Sequence, residues 1–121
     1  MTHVETQRNL HSHPVESPLS RQQEVTGFGE GDANGDGGDN WIVQCRDDPR
    51  GHKNTLWEKS TQVRFFHVDT QKYLGTSKNL DFNQRTCGPQ CPIMGHLEAF
   101  ARASVDNHGL FQVDQGIVLH I

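Results

Sequence analysis

Apolar and polar positions alternate over short stretches of this chain, which is the pattern of half-buried strands rather than of helices. Val63-Arg64-Phe65-Phe66-His67-Val68 places Val63, Phe65 and His67 in one phase, so a strand here presents all three to one face. Lys72–Leu74 starts a second short run, and Leu97–Ala103 and Gly109–Val113 make a third and a fourth. Leu97–Ala103 also fits a short helix, so both assignments stand at this point. In the first half, the runs are Thr2–Val4, Arg8–His13, Gln23–Phe28 and Asn40–Cys45, and Ile117–Ile121 is a further short strand at the end. Turn-forming residues separate them: Pro14, Pro18, the segment Gly29–Gly38 and Pro49. The pattern predicts an all-β fold.

The runs repeat. Residues 2–13 read THVETQRNLHSH and residues 66–77 read FHVDTQKYLGTS, at a gapless offset of about 64. His3/His67, Val4/Val68, Thr6/Thr70, Gln7/Gln71 and Leu10/Leu74 are identities, and Glu5/Asp69 and Arg8/Lys72 keep their charge. Gln23-Glu24-Val25 follows the first copy as Leu97-Glu98-Ala99 follows the second, and Asp39-Asn40 precedes an apolar run as Asp106-Asn107 does. Each unit thus holds about four short strands. The period exceeds the ~40–50 residues of a propeller blade, and a β-trefoil of three such units fits better. Two of the three are in this chain: 1–48 is one repeat lacking its first strand, 49–62 a connector and 63–121 a second repeat. The strand matching Val63-Arg64-Phe65 would lie before Met1. A closed β architecture leaves no third of its ring open, so the chain is expected to be an N-terminally incomplete copy of a larger protein. The alternative is a short form that dimerises or takes a strand from a partner.

Composition narrows the function more than the fold. A chain of 121 residues and 13.6 kDa is one domain in size. Hydrophobic residues make 32%, and Leu, Ile, Val and Phe together about 22%, enough for a thin core. Eleven basic against 15 acidic side chains give a net charge of −4 with no basic block, which argues against nucleic acid as a partner. No apolar run approaches the ~18 residues of a membrane span, and no apolar leader segment is visible. Three cysteines are too few for a disulfide scaffold, and their odd number leaves at least one thiol unpaired within the chain.

Several strings occur here in a fixed order: Asn9-Leu10-His11-Ser12-His13, Ser17-Pro18-Leu19-Ser20, Gln23-Glu24-Val25, Gly27-Phe28-Gly29-Glu30 and Asp39-Asn40-Trp41, then Cys45, Val63-Arg64-Phe65 with His67, and Gly116-Ile117. In that order they resemble a MIR domain, and most closely the stromal cell-derived factor 2-like group. The resemblance implies a β-trefoil of three MIR repeats, of which this chain looks like the second and third. It further implies a protein of the endoplasmic reticulum lumen that is not an enzyme. Such proteins work with the lumenal Hsp70, its J-domain co-chaperone and unfolded clients in quality control and the unfolded protein response. The chain departs from the pattern in three places. Gly75-Thr76-Ser77 replaces His-Ser-His in the second unit, and His108-Gly109-Leu110-Phe111 stands where a Trp strand is expected. The end, Val118-Leu119-His120-Ile121, is not an HDEL-like tetrapeptide, so retention would need a partner. Two other classes compete: the MIR part of a protein O-mannosyltransferase, and a glycan-binding trefoil.

Chemistry-bearing residues are few. His11 and His13 flank Ser12 on one prospective strand, so both imidazoles share a face. They begin a metal site only if a third ligand arrives from elsewhere; otherwise they bond to neighbouring groups or contact a partner or ligand. His3 and His67 stand at matched positions in phase with apolar residues and read as structural. Asp32, Asn34 and Asp36 match the first half of a calcium loop, but Val43 sits where the bidentate Glu is required, so Gly29–Asn40 reads as a flexible acidic loop. Cys87 and Cys91 are spaced C-x3-C, not C-x-x-C. A disulfide between them, a pairing of either with Cys45, and free thiols all remain open. Trp41 is expected in the core. Trp57, between the units, either caps the barrel or stacks on a sugar. No nucleophile elbow, phosphate loop or zinc-protease motif occurs. The expectation is a protein with no catalytic residue, no cofactor and no metal, with His11, His13 and Trp57 as contact candidates.

Overall fold

The computed structural model describes residues 1–29, 35–46, 61–104, 109–114 and 118–120, the segments 112–114 and 118–120 as backbone. Eight strands are found among them: β1 Asn9–Glu16, β2 Gln23–Phe28, β3 Trp41–Cys45, β4 Val63–His67, β5 Lys72–Asp81, β6 Leu97–Arg102, β7 Gln112–Asp114 and β8 Val118–His120. The first six form one antiparallel sheet in the order β1-β2-β6-β5-β4-β3, and β7 pairs with β8. The fold is all-β, with the repeated four-strand plan of the expected β-trefoil. Its sheet curls until the two edges meet: the Trp41 indole N–H on β3 donates to the Leu10 carbonyl on β1 at 2.9 Å.

The core follows the alternation read along β4. Val63, Phe65 and His67 are buried and the residues between them only half-buried. Val63, Phe65, Leu74 and Phe111 form the buried cluster, and Leu10, Val25, Trp41, Cys45 and Ala99 pack on it. Phe65 and Phe111 meet with their rings tilted by 56°, 5.4 Å between ring centres. Trp41, expected in the core, is only half-buried and packs against the edge of it, with its indole N–H satisfied.

The repeat has a physical basis in two devices. In each copy the string His-Val-x-Thr-Gln closes one turn. Gln7 N–H donates to the His3 carbonyl and Gln71 N–H to the His67 carbonyl, both at 2.8 Å. His3 Nδ1 lies 2.9 Å from Thr6 Oγ1, and His67 Nδ1 2.7 Å from Thr70 Oγ1. Both glutamines are left-handed, at φ 55° and 56°. The second device is the hairpin that follows. Asn9 faces Phe28 and Ser12 faces Val25, just as Tyr73 faces Arg102 and Thr76 faces Ala99. Ser12 Oγ donates to the Glu24 carbonyl and Thr76 Oγ1 to the Glu98 carbonyl, each at 2.8 Å.

Two expectations change, and the open choice at Leu97–Ala103 is settled in favour of the strand. Thr2–Val4 is not a strand: Thr2 makes a single bridge to Asn9, and Val4 enters the turn, 83% exposed. Leu97–Ala103 is not helical, because pairing with β2 on one side and β5 on the other holds Leu97–Arg102 extended. A short helix, α1 Gln84–Cys87, lies where no helix was read. Asn83 caps it by accepting from Arg85 N and Thr86 N, and Thr86 Oγ1 accepts from Asn83 N. The run begun at Lys72–Leu74 continues to Asp81, and the run Gly109–Val113 becomes a bridge from Phe111 to Val63 followed by β7. Residues 49–60 of the expected connector lie outside the described residues.

Candidate functional site

β1 carries Leu-His-Ser-His across the sheet edge, and the 3-10 turn Gly37–Asp39 seats against it. That seating depends on glycine. A Cβ at Gly38 would come within 2.5 Å of His11 Cε1 and 2.9 Å of the Ser12 carbonyl oxygen. Asp36 caps the turn by accepting from Gly38 N at 2.8 Å, and Asp39 Oδ2 accepts from Asp36 N at 2.8 Å. The turn therefore delivers two carboxylates to His11.

His11 is buried, with its ring stacked on Phe28 at 4.4 Å. Its Nδ1 lies 2.9 Å from Asp39 Oδ1 and 3.5 Å from Asp36 Oδ1. Asp39 is buried too, and Asn9 Nδ2 donates to its Oδ2 at 3.3 Å. Burial by itself raises the Asp39 pKa. The Asp36 amide, the His11 and Asn9 side chains and the His11 charge outweigh it, so the carboxyl is held below the usual aspartate range. His13, half-exposed, points Nε2 at Glu24 Oε1 at 2.8 Å. The two rings are 5.1 Å apart, as the strand spacing anticipated. An open groove runs past His11, His13, Asp36, Asp69 and Thr70, and no Lys or Arg lines it among the described residues.

His67 answers the expectation of a structural imidazole. It is fully buried, with Nδ1 on Thr70 and Nε2 2.7 Å from the Gly38 carbonyl oxygen. His3 keeps the same turn but is exposed, which corrects its reading as an inward residue. Trp57 and residues 30–34 of the acidic loop lie outside the described residues. Cys87 and Cys91 form a disulfide, and Cys45 is a free thiol. Sequence reading had no signal for the pairing of Asp39 with His11, which joins residues 28 apart. Glu98 was also missed. It is buried, and its carboxylate accepts from Leu19 N at 2.7 Å and Ser20 N at 3.0 Å. Its matched position, Glu24, was the available clue.

Comparison with known proteins agrees with this architecture. The MIR domain family matches residues 1–90. The chain is 35% identical over 117 residues to a stromal cell-derived factor 2-like protein of Dictyostelium discoideum, covering 97% of this chain and 49% of that protein. It is 36% identical over 121 residues to stromal cell-derived factor 2-like protein 1 of Homo sapiens, covering 98% and 47%. The crystal structure of the SDF2-like protein from Arabidopsis thaliana superposes with a TM-score of 0.72 at 25% identity, over 94% of this chain and 55% of that one. A Caenorhabditis elegans protein of unknown function superposes with a TM-score of 0.72 at 34% identity, over 96% and 57%. The chain spans about half the length of the curated relatives it matches. With two hairpins in one register, a shared turn and a family match over residues 1–90, the chain belongs to the MIR-domain family.

Proposed function

We propose that this chain acts without catalysis, as a MIR module of an accessory protein for the chaperones of the endoplasmic reticulum lumen. Its partners in this reading are the lumenal Hsp70, the J-domain co-chaperone of that Hsp70, and unfolded clients, in quality control and the unfolded protein response. The observation that carries the reading is the similarity to stromal cell-derived factor 2-like proteins over 97–98% of the chain. The site is in keeping with binding rather than turnover. His11, Asp36, Asp39 and the His13–Glu24 pair engage one another, and no nucleophile stands beside a base among these residues. An open apolar groove of about 830 Å³, walled by Met1, Val4, Leu10, Val25 and Ala99, offers surface to an extended apolar segment.

The test is recovery of partners. The chain, given a secretory leader and an affinity tag, is expressed in cells, cross-linked and purified from lumenal extract. Hsp70 and a J-domain protein are expected to copurify above the level of an unrelated lumenal β protein. Recovery of neither, with the tagged chain present in the lumen, rejects the reading.

A further inference from the structure

We propose that His11, Asp36 and Asp39 bind one divalent transition-metal ion, of the zinc class. This inference is independent of the chaperone reading. It rests on where the fold brings donors from the sheet edge and the 3-10 turn. His11 Nδ1 stands 2.9 Å from Asp39 Oδ1 and 3.5 Å from Asp36 Oδ1, and the three donor atoms all lie within 4.8 Å of one another. A tetrahedral ion with bonds of ~2.0–2.1 Å holds its ligand atoms about 3.3 Å apart, so shifts of a few tenths of an ångström bring His11 Nδ1 to that spacing from both carboxylates.

The charge argument points the same way. An imidazole Nδ1 carries at most one proton, yet two carboxylate oxygens converge on it. A single N–H serves Asp39 Oδ1, and Gly38 N already donates to Asp36 Oδ1, but neither offsets the two negative charges, which a doubly charged cation would neutralise. Asp39 Oδ2 is held by Asn9 Nδ2 and Asp36 N, so the carboxylate is oriented with Oδ1 toward His11 Nδ1, the contact that an ion would replace. Access is open on one side, because Asp36 has a side-chain exposure of 58% and the groove reaches His11. Water would fill the fourth position from that side. A second imidazole stands next to the cluster: His13 Nδ1 is shielded from solvent and has no hydrogen-bond partner among the described residues. The donor set selects the metal class. One nitrogen with two carboxylate oxygens suits Zn2+, whereas Ca2+ requires six to eight oxygens, and Mg2+ is an oxygen-seeking ion that retains most of its waters.

Calorimetric titration of the full chain, stripped of metal by chelator, with ZnCl2 tests the inference. One ion per chain at micromolar Kd is expected, with no comparable uptake of Ca2+ or Mg2+. Asp36→Asn retains the oxygen that caps the turn but loses the charge, and is expected to weaken Zn2+ binding at least tenfold. Cys45→Ser is expected to leave it unchanged. The unaltered chain supplies a measurement that no folding defect can confuse: at one equivalent of Zn2+ the His11 imidazole resonances shift while those of the exposed His3 and His96 do not. Uptake only at millimolar Zn2+, uptake undiminished in Asp36→Asn, or resonance shifts confined to other histidines would each overturn the proposal.

Discussion

His3 and His67 hold identical turns, but only His67 is buried, because only it has the Gly38 carbonyl to receive its second nitrogen. A side chain's neighbours within five residues are thus a matter of local sequence, while its burial depends on what another unit brings to it. Asp39 illustrates the same point with a measurable consequence. Its carboxyl titrates lower in the folded chain than in the unfolded one. Between the two values the unfolded chain binds more protons, so stability falls as the medium is acidified. This contribution is fully present above the unfolded aspartate value near pH 4 and disappears as pH drops through the folded value. Urea midpoints measured from pH 6 to pH 2.5 are expected to decline more steeply for the unaltered chain than for Asp39→Asn. Parallel curves would show that the carboxylate contributes nothing there.

At the scale of elements, the two hairpins share one register, and the second differs by extra chain at its tip. Glu16 faces Gln23 at the end of the first, whereas Asp81 faces Leu97 at the end of the second, and the intervening segment holds α1 and the disulfide. The repeat was legible because the turn string and the Ser12/Thr76 positions perform the same hydrogen bonding twice. The inserted tip was not, since nothing in the first copy corresponds to it. Glu98 locks the units together: its carboxylate receives two amides from the Ser17–Ser20 turn, 78 and 79 residues away in sequence. Removing it strands two amide donors that were bonded to a charged group. Glu98→Ala is expected to cost about 3 kcal/mol in urea unfolding, and Glu98→Gln, which keeps one acceptor oxygen, about 1 kcal/mol. Equal losses for the two variants would assign the effect to packing instead.

For the molecule as a whole, the curl of the sheet decides which groups meet. β1 and β3 are opposite edges in strand order, yet Trp41 reaches Leu10 and the turn before β3 reaches His11. The disulfide, by contrast, closes a sequence separation of four at an exposed hairpin tip. A loop so short restricts the unfolded chain little, by about 2 kcal/mol on the chain-entropy account. Reduction by dithiothreitol is therefore expected to lower stability by no more than that and to leave the far-ultraviolet circular dichroism of the sheet intact. Loss of the β signal on reduction would mean that the tip supports the core.

By itself the sequence determined the all-β class, the two-unit repeat, the inward phase of Val63, Phe65 and His67, and the shared face of His11 and His13. Each of these rests on the period-two geometry of strands or on local hydrogen bonding, which a linear string records. Only the tertiary structure decided that Asp36 and Asp39 converge on His11, that Glu98 grips the neighbouring unit, that Leu97–Arg102 is a strand, and that Cys45 is the thiol left free. These outcomes depend on pairings between residues far apart in the chain. Their identities carry no signal until the curled sheet brings them within hydrogen-bonding distance.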